Sequence, residues 1–299
     1  MAQQNKRATK RADPLALRLF RLVFKVGGIL APEATGRLAY NVWLTPQRFR
    51  TPESEKPAEK SARIGDLQIN DKPVTTYEWG QPQSTASVST ISTPTILLVH
   101  GWSGRGTQLA AFIPPLVERG FHVISFDAPA HGRSTGKQTT LYEISETIEA
   151  LQAKYGVFHS VITHSFGGPC LAVAMKHGVS AGRVVNICPP AHTRDMIDKF
   201  AAMLSINEST KQRLIRQMEE NFGEYVWQDT SMPLIVSKLD TTALIIHDAD
   251  DTDVPWQEGQ AIADAWRDAS FIKTTGLGHR RILREPAIVD AVVSFISAN

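Results

Sequence analysis

The chain has 299 residues, 42% of them hydrophobic and 21% charged, so it can bury a sizeable core and reads neither as a disordered chain nor as a multi-span membrane protein. Its formal net charge of +2 shows no basic stripe through the interior, which argues against a nucleic-acid binder. The two cysteines, Cys170 and Cys188, sit in apolar sequence and read as buried thiols, compatible with a cytoplasmic, reducing location and not with a disulfide framework or a zinc cluster.

The basic excess lies at the beginning. Lys6, Arg7, Lys10, Arg11, Arg18, Arg21 and Lys25 face a single acid, Asp13, and Leu15 to Val26 is apolar between its charges. This predicts a basic amphipathic helix, too interrupted for a transmembrane span or a signal-peptide core. Three readings stay open: a helix packed on its own domain or a partner subunit, a peripheral contact with an anionic membrane, and an Arg-rich transit segment. The polar stretch TPESEKPAEKS, Thr51 to Ser61, reads as a surface linker, so residues 1–61 form an arm and linker and the main domain is expected over 62–299.

ARIGDLQIN and PVTTYEWG then predict a strand pair, and QPQSTASVSTISTPT an exposed loop. Beyond it, short apolar runs alternate with amphipathic segments of helical length. Strands are predicted at Thr95 to His100, His122 to Asp127, Ser160 to Thr163, Val184 to Cys188, Ala243 to His247 and Ser270 to Thr274. Helices are predicted near Gln108 to Glu118, Leu141 to Tyr155, Gly167 to His177, Gln257 to Trp266 and Pro286 to Ser297. Such alternation implies an α/β fold with a mostly parallel central sheet flanked by helices, where ligands bind at the carboxyl ends of the strands.

Polar chemistry gathers at those ends. The run TILLV leads into His100-Gly101-Trp102-Ser103-Gly104, HVISF into Asp127 to Ser134, VIT into His164-Ser165-Phe166-Gly167-Gly168, and ALII into His247 to Pro255; Gly276-Leu277-Gly278-His279 follows the last strand. In this order the set resembles the α/β-hydrolase family, with its nucleophile elbow and its Ser, then Asp or Glu, then His succession. The resemblance covers about Ala62 to Asn299.

It implies Ser165 as nucleophile, His279 as base and Asp251 as the acid that orients it. Asp251 stands four residues after His247 and four before Pro255, as the family pattern asks, with Asp250 as the reserve. The amides of Trp102 and Phe166 would form the oxyanion hole. One departure is Thr163, where the family places glycine two residues before the nucleophile. The aspartates of DADDTD do not make a calcium loop, because the sixth position is Asp253 and the twelfth Gly259. Dinucleotide and phosphate-loop glycine spacings are also lacking, so neither a cofactor nor a metal is implied. His100 and His131 are expected to shape loops.

Residues 191–240 hold two helix-like stretches, Thr193 to Leu204 and Glu208 to Phe222, where a helical cap is expected. Met196, Phe200, Met203, Leu204, Leu214, Met218, Phe222 and Trp227 would supply its apolar underside. The chemistry expected is hydrolysis of a small carboxylic ester through an acyl-enzyme. Thioesterase, amidase and acyltransferase activities share that chemistry, and a non-catalytic binding module on the same fold is the rival from another class. Oligomeric state is left open.

Overall fold

The four residues Ile96 to Val99 are apolar and at most 1% exposed, which is what a strand covered on both faces requires. In the computed structural model, which describes residues 15–81 and 93–298, this strand lies inside a single eight-stranded sheet. Its members are β1 (Arg63–Ile69), β2 (Lys72–Trp79), β3 (Thr95–Val99), β4 (His122–Phe126), β5 (Phe158–His164), β6 (Ala181–Ile187), β7 (Thr242–Asp248) and β8 (Ala269–Thr274). They run in the order β1-β2-β4-β3-β5-β6-β7-β8. β1 and β2 pair antiparallel with each other, and β2 pairs antiparallel with β4; all other pairs are parallel. The arrangement is the mostly parallel, helix-flanked sheet expected from the sequence. Residues 82–92 of the expected exposed loop and the basic residues before Asp13 lie outside the described residues.

In chain order the helices are α1 (Leu15–Leu30), α2 (Pro32–Trp43), α3 (Lys56–Ser61), α4 (Ile113–Glu118), α5 (Leu141–Tyr155), α6 (Gly167–Lys176) and α7 (Thr193–Leu204). After these come α8 (Glu208–Phe222), α9 (Val226–Asp229), α10 (Met232–Val236), α11 (Trp256–Ala265), α12 (Gly278–Arg281) and α13 (Pro286–Ser297). Helix α5 shows why such bounds could be anticipated. The Thr140 hydroxyl accepts a hydrogen bond from the Glu143 amide while the Glu143 carboxylate accepts one from the Thr140 amide, a capping box, and the helix ends at Gly156 with φ +82°.

The described residues divide into two compact units. One contains 44–194 and 224–298 and carries the whole sheet; the other joins 15–43 to 195–223. This division differs from the boundaries expected at residue 61 and around 191–240. Composition marks Thr51 to Ser61 as a linker, yet the segment from Leu44 to Ser61 belongs to the sheet unit and is tied down throughout. Arg48 donates to the carbonyls of Ala130, Ser134 and Gly136. Glu55, largely buried, accepts from Arg105 and Thr107, and Arg133 reaches Glu59.

The second unit is helical. Gly27 and Gly28 lie on the inner face of α1: a Cβ on Gly27 would stand 2.7 Å from Thr35 Oγ1, and one on Gly28 2.5 Å from Asn207 Nδ2. Two glycines thus let α1 approach α2 and the cap of α8. Phe24, Ile197, Leu204, Leu214 and Ile215 fill the interior, and Trp43 packs edge-on against Phe200. Of the residues expected on the underside of a cap, Leu204 and Leu214 are interior here, Met203 is half exposed, and Trp227 folds with the sheet unit beneath Arg194.

Candidate active site

Strand β5 ends at His164, and the chain turns into α6 through Ser165, whose φ of +51° is a left-handed conformation rare for a residue with a side chain. Two backbone bonds hold it there: the Ser165 amide donates to Ile187 O, and the Gly168 amide donates to Ser165 O, each at 2.9 Å. The residues around the turn have no room to be larger. A Cβ on Gly167 would come within 2.8 Å of the carbonyls of both Val99 and His100, and one on Gly101 within 3.0 Å of the Ser165 Cβ. Thr163, by contrast, fits. It pairs in register with Asn186 on β6, and its hydroxyl donates to Asn186 Oδ1 at 2.5 Å, so the side chain is taken up inside the sheet.

The four aspartates that crowd the loop after β7 separate into distinct tasks. Asp251 Oδ2 accepts from His279 Nδ1 at 2.7 Å, and its Oδ1 accepts from the amides of Asp253 and Val254 at 2.8 and 2.9 Å. Burial by itself would raise this carboxyl, but hydrogen bonds from His247 and His279, together with the charge of His279, outweigh it and hold the group below the usual carboxylate range. Asp248 accepts from Thr274 Oγ1 and from the amides of Asp250, Leu277 and Gly278 at 2.7 to 3.1 Å. Asp250 accepts from the Gly276 amide, and Asp253 pairs with Arg280 at 3.1 Å. The loop before His279 is therefore laced to the end of β7, and Gly276 and Gly278, both at positive φ, give it the curvature.

His279 reaches the neighbourhood of Ser165 through His164. The His164 ring lies 4.7 Å from the His279 ring, centroid to centroid, and its Nε2–H donates to the His279 carbonyl at 2.9 Å. Burial, with the nearby His279 charge, pulls the His164 pKa down to about 3, so the ring stays neutral as a donor. With Nδ1 of His279 committed to Asp251, Nε2 is the ring nitrogen that does not face the carboxylate. Ser165 Oγ makes no hydrogen bond to His279 in this structure.

Trp102 and Phe166 flank the same point, their rings edge to face at 5.4 Å. Neither backbone amide has an acceptor among the described residues, although the loop around them is densely bonded. His100 and His131 make much of that density. His100 donates to Gly101 O and accepts from the Ala128 amide; His131 donates to Pro129 O and accepts from the Ser103 amide. Burial lowers their pKa values to about 4 and about 3, so both act as neutral struts. Beside Trp102 a cleft of about 880 Å³ opens, with Phe49, Ile113 and Leu283 on its apolar walls and Arg50, Arg280 and Arg284 among its polar ones.

Behind the acid, the Cys188 thiol, an imidazole nitrogen of His247 and a carboxylate oxygen of Asp251 lie within 4.8 Å of one another. Burial and the adjacent Asp251 charge push the thiol up, so it stays protonated and faces the carboxylate as a weak donor. His247 Nε2 donates to Val254 O at 3.0 Å and lies 3.4 Å from Asp251 Oδ2. The group supports the acid, and its ligand atoms are already engaged with Asp251. Sequence reasoning did not assign roles to Asp248, His164, His247 or Cys188. The partner of His164 lies 115 residues away and those of Asp248 reach 30 residues on, so sequence spacing does not announce these contacts.

Comparison with known proteins matches these observations. The sequence model of the alpha/beta hydrolase family matches residues 96–292. No curated protein sequence matches the chain significantly. Among solved structures, a bacterial membrane phospholipase A superposes with a TM-score of 0.59 at 15% identity, covering 94% of this chain and 96% of its own. An esterase from Rhodococcus sp. gives 0.58 at 15%, over 80% and 99% of the two chains. A proline iminopeptidase from Mycobacterium smegmatis gives 0.57 at 16%, over 78% and 97%. At such identities the likeness concerns the fold, but the family match spans about two thirds of the sequence, and the chain belongs to the alpha/beta hydrolase family.

Proposed function

We propose that the protein is a serine hydrolase that cleaves carboxylic ester bonds through an acyl-enzyme on Ser165. The observation that carries this reading is the Asp251–His279 pair at 2.7 Å, with the His279 ring packed on His164, the residue that precedes a serine in left-handed backbone conformation. Ser165 Oγ attacks the ester carbonyl and passes its proton to His279 Nε2. The oxyanion of the tetrahedral intermediate takes the two idle amides of Trp102 and Phe166, each worth about 3 kcal/mol once charge develops. Collapse breaks the bond to the alcohol oxygen, which receives the proton from His279. Water then attacks the acyl-enzyme with His279 as base, and the carboxylic acid leaves.

The cleft next to Trp102 suits the longer portion of such a substrate. Its apolar walls fit an aliphatic or aromatic chain, and Arg50 and Arg284 on its polar lining fit a carboxylate or phosphate. The test is turnover of activated aryl esters, from acetate upward, by the wild type and by Ser165→Ala. The expected result is loss of turnover in the variant, and labelling of the wild type alone by a serine-reactive phosphonate. A folded wild type that neither turns over esters nor takes the label would replace this reading with a binding module.

A further inference from the structure

Among the described residues, none covers the outer face of α1. Leu15, Leu19, Leu22, Val23, Val26, Ile29 and Leu30 are between 44% and 79% exposed, whereas Phe24, on the opposite side, is fully buried. At 3.6 residues per turn the seven exposed side chains occupy one arc of about 120°. The inner face is already used, since Gly27 and Gly28 seat it against α2 and α8. A helix that fills its inner face and keeps a second apolar face in water is presenting that face to something else.

Charge decides what. The sequence of α1, LALRLFRLVFKVGGIL, contains no acid. Arg18 and Lys25 are seven residues apart and border the apolar arc along one edge. Immediately upstream the sequence adds Lys6, Arg7, Lys10 and Arg11 against Asp13 alone. We propose that this face docks the protein on an anionic lipid surface, with α1 lying in the plane of the interface. Among the described residues no helix is long and apolar enough to cross a membrane, so the helix lies on the bilayer and does not span it.

A second copy of the chain fits less well. Leu15, Leu19, Leu22, Val26 and Ile29 follow the spacing of a coiled-coil seam, but Arg18 and Lys25 would then flank it with no acid on the partner helix to meet them. Val23 and Leu30 also widen the arc beyond a two-helix seam. Anionic headgroups answer the basic edge, and the acyl region accepts the wide apolar face.

The test is flotation of the full chain with vesicles of phosphatidylcholine alone and of phosphatidylcholine containing about 30% phosphatidylglycerol. The wild type should float with the anionic vesicles and be weakened by about 0.5 M salt. Leu22→Glu with Val26→Glu should reduce partitioning at least about tenfold, and Arg18→Glu with Lys25→Glu several-fold on anionic vesicles, both with an unchanged thermal midpoint because all four side chains are outside the core. Three results would overturn the proposal. The wild type could fail to float with anionic vesicles. The Leu22→Glu, Val26→Glu variant could float as well as the wild type, leaving only the basic segment at work. Or the wild type could be a dimer that these substitutions make monomeric, with no flotation by either form.

Discussion

Asp248 is predicted to control His279 without touching it, and Asp248→Asn tests this. The carboxylate accepts four hydrogen bonds, two on each oxygen: the amides of Asp250 and Gly278 on one, Thr274 Oγ1 and the Leu277 amide on the other. An asparagine keeps the shape but turns one oxygen into a donor, so two of the four donors lose their acceptor in a buried site. At about 1–3 kcal/mol for each buried group left unmet, the loss should be about 2–6 kcal/mol, or roughly 3–10 °C in Tm. The amides of Leu277 and Gly278 belong to the turn that delivers His279, so that turn should loosen. A base displaced by a fraction of an ångström should cost about ten- to a hundredfold in kcat, with KM little changed. Thermal melts and steady-state kinetics on an aryl ester measure both. A variant that keeps its Tm and its kcat within about twofold of wild type would show that the lacing after β7 does not position the base.

Gly101→Ala should lower kcat by about tenfold at nearly normal stability, because its new methyl would stand 3.0 Å from the Ser165 Cβ and 3.1 Å from His164 Nδ1, pushing the Trp102 amide off the oxyanion position. Unchanged kinetics would place the oxyanion donors elsewhere. Acid should destabilise the protein. His100, His131 and His164 have pKa values lowered to about 4, 3 and 3, so the unfolded chain takes up protons below about pH 6.5 that the folded one refuses, and stability falls from there toward pH 3 to 4. Near pH 4.5 this amounts to about 2 kcal/mol per ring; denaturant curves flat between about pH 7 and 4.5 would contradict it. Arg50→Gln with Arg284→Gln should lower kcat/KM for esters ending in a carboxylate by about five- to fiftyfold and leave neutral esters within about twofold; an equal loss for both would remove these arginines from recognition of an anionic substrate group.

The strands after Thr95 and the polar residues at their ends were legible because buried parallel strands are short apolar runs, and the chain turns directly from each into a loop. The resemblance to the family pattern pointed to His279 after the last strand and to Asp251 between His247 and Pro255, and the structure brings these two side chains together. Thr163 was readable as a departure but not as an acceptable one, since its partner Asn186 lies on the neighbouring strand. Thr51 to Ser61 misled by composition: Glu55 looks like any solvated glutamate until Arg105 and Thr107 fold against it. Periodicity marked α1, α7 and α8 as amphipathic helices. It cannot say that 15–43 and 195–223 share an interior, because each face is satisfied by residues remote in sequence.

That shared interior sets an order of events during synthesis. Helix α1 is made well before the asparagine and threonine that meet its Gly28, Asn207 and Thr210. At about 5–20 residues per second, roughly ten to forty seconds pass before those partners exist. Throughout that interval the outer face of α1 is uncovered and its inner face has α2 alone to meet, through Gly27 and Thr35. The nascent chain is then stickier than the finished protein, and whatever captures an apolar, basic helix, a chaperone or a bilayer, meets it first in this state.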